Sequence, residues 1–204
     1  MDISMDAMQV FKPLIDEGVI EKVQNEIGNS IEYWNTIGWW NGIGDLLPGE
    51  GYIVRLSESG TLKFDSVPEK SNQIAVVNSK PIFFNVDYSG NGFAHMNINI
   101  NGLNESGLEV GDEIAVYDGK YCVGAIQLSE WNFKIDAVSI PASASDRILG
   151  IGFYEGNPID FRIWRKLTNE VADFTPFVIQ GELKFGKYSS IFVSTSSPGL
   201  KISF

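Results

Sequence analysis

A chain of 204 residues, 44% hydrophobic and 20% charged, can form one ordinary domain or two small ones, and this balance excludes collagen, coiled coil and disorder. The 21 glycines and the aromatic share of 12% favour short strands joined by tight turns over long helices. A formal charge of -11, from 15 Lys and Arg against 26 Asp and Glu, repels phosphate backbones and anionic headgroups, so nucleic acid is excluded as a first partner. The charge is uneven: residues 1–67 carry 4 basic and 11 acidic side chains, 68–161 carry 5 and 12, and 162–204 carry 6 and 3. No run approaches the ~18 apolar residues of a membrane span. Met1 to Asp6 has neither a basic nor an apolar leader region, so this segment is expected not to insert in a membrane, and any export signal is expected outside it.

In chain order, Met8, Phe11, Leu14, Ile15, Ile20 and Val23 recur three and four apart, which predicts helix over 5–16 and 19–26, interrupted at Gly18. After Gly28 the pattern changes to short apolar stretches at 30–33, 38–41 and 51–56. Residues 52–56 and 61–64, around Ser57-Glu58-Ser59-Gly60, read as a β-hairpin. Asp65 to Asn72 has no periodicity and forms the candidate linker. Strands are then expected at 81–88, 93–100, 112–118, 121–128, 133–140, 147–154, 158–165, 174–184 and 190–195, with an edge strand near 200–204. Alternation in 95–101 puts Met96, Ile98 and Ile100 on one face and His95, Asn97, Asn99 and Asn101 on a wet one. The expected fold is mainly β: a small α+β module over 1–67, then an antiparallel β-sandwich of jelly-roll or immunoglobulin-like type over 80–204.

The chemistry that could be present is limited. Asp87-Tyr88-Ser89-Gly90-Asn91-Gly92 has the spacing of a calcium loop, making Asp87, Ser89 and Asn91 the candidate ligands. The twelfth position is Ile98, where such a loop needs a bidentate Glu, so a Gly/Asn turn between strands is the preferred reading. No other cofactor is indicated, and one His and one Cys exclude a tetrahedral zinc site. Cys122, in a strand-like setting, is expected to be a buried free thiol. No nucleophile-elbow string accompanies His95. Asp112 and Glu113 are neighbours that point to opposite faces of a strand, and Asp118 and Glu155 sit at turn ends, so no paired carboxylates for sugar hydrolysis stand out.

Aromatic residues cluster in the N-terminal module. Trp34, Trp39, Trp40 and Tyr52 are the candidate ligand-binding residues, because exposed indoles stack on pyranose faces while nearby Asn and Asp serve the hydroxyls. Alternatively, these rings fill a core that a module of this size struggles to build. Trp39 and Trp40 are adjacent and cannot both point inward on a strand, so one of them is expected at the surface. Trp131 and Trp164 are expected in the core.

Residues 18–32, from Gly18-Val19-Ile20 to Ile31-Glu32, continuing through Gly38-Trp39-Trp40-Asn41-Gly42-Ile43-Gly44 and Leu47-Pro48-Gly49-Glu50-Gly51-Tyr52, resemble a small module of large extracellular proteins exported by the type IX secretion pathway. Gly111-Asp112-Glu113-Ile114-Ala115-Val116-Tyr117-Asp118-Gly119, with Cys122-Val123-Gly124, Gly152-Phe153 and Phe161-Arg162-Ile163-Trp164, resembles the β-sandwich module that often accompanies it. The resemblance implies an exported, multi-modular bacterial protein of the cell surface or medium, and it carries over no catalytic residues. Asp65-Ser66-Val67 is similar to the O-glycosylation acceptor of such bacteria. The expectation is therefore a non-catalytic structural or adhesive module, with a glycan or another surface protein as partner. Its alternatives are a carbohydrate-binding module and a glycoside hydrolase-like enzyme.

Overall fold

A computed structural model describes residues 4–62, 79–88, 94–145 and 150–196. The chain divides into two compact units, Met1–Val77 and Asn78–Phe204. The linker expected over Asp65–Asn72, with its Asp65-Ser66-Val67 string, and the edge strand expected near 200–204 lie outside the described residues.

The N-terminal unit opens with β1 (Met5–Asp6) and α1 (Ala7–Asp16). Asp6 caps the helix, its carboxylate accepting the Gln9 N–H at 2.8 Å. The helix ends in a left-handed turn at Gly18 (φ 71), where the Gly18 N–H donates to the Ile15 carbonyl and the Val19 N–H to the Leu14 carbonyl. Four further strands follow: β2 (Ile20–Asn25), β3 (Ser30–Trp34), β4 (Gly38–Asn41) and, after the short β5 (Asp45–Leu46), β6 (Tyr52–Leu56). They form an antiparallel sheet in the order β4-β3-β2-β6, and β1 pairs with β5. Helix residues Ala7, Val10, Phe11 and Leu14 pack with Ile20, Val23, Ile31 and Leu46 in one core.

Two expectations fail here. Residues 19–26 are strand, not helix: Ile20 and Val23 mimic helical spacing because β2 is a central strand buried on both faces, so polar Lys22 and Gln24 are also inside. Of the hairpin expected over 52–56 and 61–64, the first half is β6, which pairs with β2, while Thr61 and Leu62 are in no strand and residues 63–64 lie outside the described residues. The chain after Ser57 runs towards the helix, where Gly60 approaches so closely that a Cβ would meet Leu14 Cδ2 at 2.6 Å.

The C-terminal unit contains β7 (His95–Asn101), a 3-10 turn (Leu103–Glu105), β8 (Glu113–Asp118), β9 (Tyr121–Gln127), α2 (Glu130–Ile135), β10 (Ala137–Ser143), β11 (Asp160–Arg165), β12 (Glu170–Phe174), β13 (Phe177–Gln180) and β14 (Ser190–Ser194). Its strands make two four-stranded sheets, β10-β7-β14-β13 and β12-β11-β8-β9. Met96, Ile98, Ile100, Ile140 and Ile191 from the first meet Ile114, Val116, Ile126 and Phe161 from the second in a single core. The architecture is mainly β and sandwich-like. At Gly124 the sheets approach closely, because a Cβ there would sit 2.9 Å from Ile140 Cγ2 and from the Pro141 carbonyl oxygen.

Among the described strands of this unit pairing is antiparallel except that β14 runs parallel to β7, a parallel pair within the antiparallel sandwich expected. β7 also lacks its expected wet face: all seven residues are buried, because it is a central strand whose polar side chains find internal partners. The Asn97 amide donates to Ser139 Oγ at 3.3 Å, and that hydroxyl donates to Asn99 Oδ1 at 2.7 Å. The strand expected at 133–140 begins as α2, whose first turn closes on Ser129 through its N–H bond to Asn132 Oδ1 (2.8 Å). The strand expected at 174–184 is broken at Thr175-Pro176, since proline withholds a ladder donor. Of 147–154, the described part forms no regular strand, only a bridge from Phe153 to Ala144. Residues 81–88 are not a strand either; their backbone donors go to a carboxylate, as described next.

Candidate functional site

Three acids of the Gly111–Gly119 motif could carry acid–base chemistry, and each is spent on a distant stretch of chain. Asp112 is buried, and its Oδ2 accepts the Glu109 N–H and Arg165 Nη1, both at 2.9 Å, while Oδ1 accepts the Lys166 N–H at 2.9 Å. Glu113 is wholly buried, and its two oxygens accept the N–H groups of Ile82 (2.5 Å), Phe83 (3.0 and 3.1 Å) and Phe84 (2.9 Å). Asp118 accepts the Tyr154 N–H at 3.2 Å and the Asn157 amide at 2.8 and 3.1 Å. Asp112 and Glu113 are thus buried carboxylates satisfied by hydrogen bonds, and Asp118 is a half-buried one. Glu155 also turns to the backbone, accepting the Lys187 N–H at 3.3 Å.

The segment fixed by Glu113 covers the outer face of the β12-β11-β8-β9 sheet. Phe84 and Val86 pack on Ala115, Tyr117, Cys122 and Trp164, and Phe83 stacks on Trp164 with ring centroids 4.8 Å apart. Cys122 is a buried free thiol. Burial pushes it up to about 11. Burial also raises the Tyr117 phenol, with Cys122 adding to it. Trp164 is in this core, whereas Trp131 is only half-buried because α2 is a surface turn, and the Lys134 ammonium sits 5.0 Å from its ring centre.

For calcium, the described member of the candidate set is otherwise engaged. Asp87 exchanges two bonds with Cys122: Oδ2 accepts the Cys122 N–H and the Asp87 N–H donates to the Cys122 carbonyl, each at 2.8 Å. Ser89 and Asn91 lie outside the described residues. Among the described residues no group of three or more His, Cys, Asp or Glu side chains could hold a metal ion.

The sheet register sorts the aromatic candidates. Trp34 and Trp40 lie on one face, buried and stacked with centroids 4.7 Å apart, because Glu32 pairs with Trp40 and Trp34 with Gly38. Gly42 makes room for this stack, as a Cβ there would meet Trp40 Nε1 at 2.7 Å. As ligand contacts these two are corrected: they are interior rings. Trp39 points to the opposite face, half-buried, directly across from Tyr33. The two rings meet edge to face at 5.8 Å and 73°, with Tyr33 55% exposed. Tyr33 is not among the sequence candidates, although alternation within β3 separates it from Trp34. Tyr52 is a brace for the 47–51 turn: its hydroxyl accepts the Leu47 N–H at 2.8 Å and donates to Glu50 Oε2 at 2.6 Å. Burial, then this bond, pushes its phenol up to about 12.

A groove of about 490 Å³ at one end of β11 and β12 is a further feature without a sequence signal. Phe161, Phe174 and Leu183 supply its apolar wall, and Asp160, Arg162 and Asp173 its polar one. Arg162 is held between Asp173, at 3.4 Å, and the Tyr117 ring, 4.2 Å below. The Asp173 side chain is 93% exposed, so this ion pair is screened by solvent and holds Arg162 only weakly.

Among the described residues no helix is long and apolar enough to cross a membrane. No family model, curated protein or solved structure matches this chain.

Proposed function

We propose that this chain is a non-catalytic module pair of a larger exported bacterial protein, located at the outer cell surface or in the medium, with a structural or adhesive role. The observation that supports it best is the fate of Asp112, Glu113 and Asp118. Acids that would serve catalysis instead hold segments 165–166, 82–84 and 154–157 in place. In this reading the C-terminal unit is a sandwich of jelly-roll or immunoglobulin-like type acting as a rigid spacer. The export assignment draws on the resemblance of the two motif strings to type IX-secreted modules. Two measurements test the proposal. Antibody labelling and protease shaving of intact cells should find the chain outside, and purified protein should turn over no member of a glycan and peptide panel. Retention in the cytoplasm, or turnover of any panel member, overturns it.

One observation favours a second reading as a carbohydrate-binding module. The Tyr33–Trp39 corner sets an exposed phenol edge to face with an indole that also packs on the helix-side core, aromatic surface of the kind on which a sugar ring stacks. A glycan array on the purified chain, repeated with Trp39→Ala, tests this: binding that is lost with the indole supports it, and an array without signal rejects it.

A further inference from the structure

We propose that the C-terminal unit is a load-bearing module with two stages: a strap, residues 79–88, that yields first under tension, and a clamp, β7 against β14, that holds. The inference rests on the reading of the chain as a structural or adhesive module of a larger exported protein, which supplies the tension. Among the described residues β7 is the first strand of the unit and β14 the last, and they lie side by side and parallel, Asn97 opposite Ser190 and Asn101 opposite Ser194. Tension along the chain pulls β7 by its His95 end and β14 by its Ser194 end. In a parallel pair these are opposite ends, so the strands are sheared and every bond between them is loaded at once. At one end of the pair the Tyr188 N–H donates to the His95 carbonyl (2.8 Å) and the Asn97 N–H to the Ser189 carbonyl (3.1 Å); at the other the Thr195 N–H donates to the Asn101 carbonyl (3.0 Å). Neither strand is at a sheet edge, and the buried Ile98, Ile100, Ile191 and Val193 keep away the water that would otherwise replace these bonds.

The strap is loaded differently. Ser79 bridges to Gln127 at the end of β9. From there α2 leads into Ala137, which pairs with Asn101, and Asn101 in turn lies opposite Ser194. The chain therefore enters at Ser79 and leaves at Ser194 at the same end of the two sheets. Tension between these points acts on the first residue of the strap and peels it: the Ser79 bridge opens, then the N–H groups held by Glu113, then the two bonds between Asp87 and Cys122. Peeling breaks bonds one after another and shear breaks them together, so the strap gives way below the force that opens the clamp. Once it has gone, Trp164 has lost its stack with Phe83, and Cys122 its cover by Phe84 and Val86.

Single-molecule tweezers on the full chain, held by its two ends, read both stages. An early step is expected that releases residues 79–94, roughly 55 Å of chain, followed at higher force by a rupture that releases residues 95–194, on the order of 330 Å. Events unmoved by changes in this unit belong to the N-terminal one. A maleimide dye should react with Cys122 in a chain held between the two steps and not before the first. Glu113→Gln should lower the force of the early step and leave the later rupture where it is. Moving the C-terminal handle to Lys187→Cys, an exposed position next to the Tyr188–His95 bond, pulls β7 and β14 from the same end without altering the fold. The clamp should then fail at roughly half the force or less, because its bonds are peeled and the barrier to forced unfolding falls. Opening in a single step, an early step indifferent to Glu113→Gln, or a rupture force equal for the two handle positions would each overturn the proposal. Cell labelling decides separately whether the protein is at the surface, so the clamp and that assignment fail independently.

Discussion

Glu113 Oε2 accepts the N–H of Phe84 at 2.9 Å across a separation of 29 residues, from a side chain with no solvent exposure. Together with the bonds to Ile82 and Phe83, this carboxylate is the hydrogen-bonding partner that a neighbouring strand would otherwise supply. Glu113→Gln keeps the size but replaces one acceptor oxygen with a donor facing N–H groups. It is expected to cost about 2–3 kcal/mol, the scale of hydrogen bonds to a buried charge. Urea denaturation of the full chain measures this. A midpoint unchanged by the substitution would mean that apolar packing of Phe84 and Val86 holds the segment by itself.

The two faces of the N-terminal sheet predict opposite outcomes for neighbouring tryptophans. Trp40→Ala opens a cavity beneath the stacked Trp34 and should destabilise by about 3–5 kcal/mol. Trp39→Ala removes a half-buried ring and should cost clearly less. Thermal unfolding of the two variants side by side decides it. Equal losses would show that Trp39 is as much a core residue as Trp40 and would remove the physical basis for a sugar site at Tyr33.

Cys122 provides a probe of the C-terminal unit. Its thiol ionises near 9.0 in an unfolded chain and at about 11 in the folded one, so the folded state holds more protons in between. The stabilisation is complete below pH 9 and is lost as pH rises towards 11. At pH 8 a thiol reagent should therefore label the native protein only as fast as the chain opens, and should label it at once in urea. Rapid labelling without denaturant would show that the cover formed by Phe84 and Asp87 opens readily.

Much of the strand pattern is legible because alternation survives wherever one face is distinct from the other. In β7, Met96, Ile98 and Ile100 alternate with Asn97, Asn99 and Asn101, and Asp118-Gly119 marks the turn from β8 into β9. β2 misleads for the opposite reason: Lys22 and Gln24 are buried on one face and Val23 on the other, so no alternation remains and the Ile20–Val23 spacing resembles a helix. The 82–84 segment is illegible because its donors meet an acid 30 residues away, a non-local relationship no short window contains. At the candidate site, adjacency limits how many tryptophans can point inward. Only the pairing of Tyr33 with Trp39 and of Glu32 with Trp40 says which.

Lys22 is a test of how the N-terminal unit carries a buried cation. Burial pushes its ammonium down to about 8, with Glu32 across the strand pair pulling it back up and Arg55 pushing further down. Between about pH 8 and 10.5 the unfolded chain therefore holds more protons than the folded one, and stability contributed at this site rises with pH through that window. Lys22→Met removes the titration, although it leaves the buried Glu32 without a lysine across the pair. The informative quantity is the difference in melting temperature between wild type and Lys22→Met, in which the falling contribution of Cys122 cancels. That difference should move in favour of wild type from pH 8 to 10. A difference that stays flat would mean that Lys22 is solvated well enough in the folded protein to keep its charge at no cost.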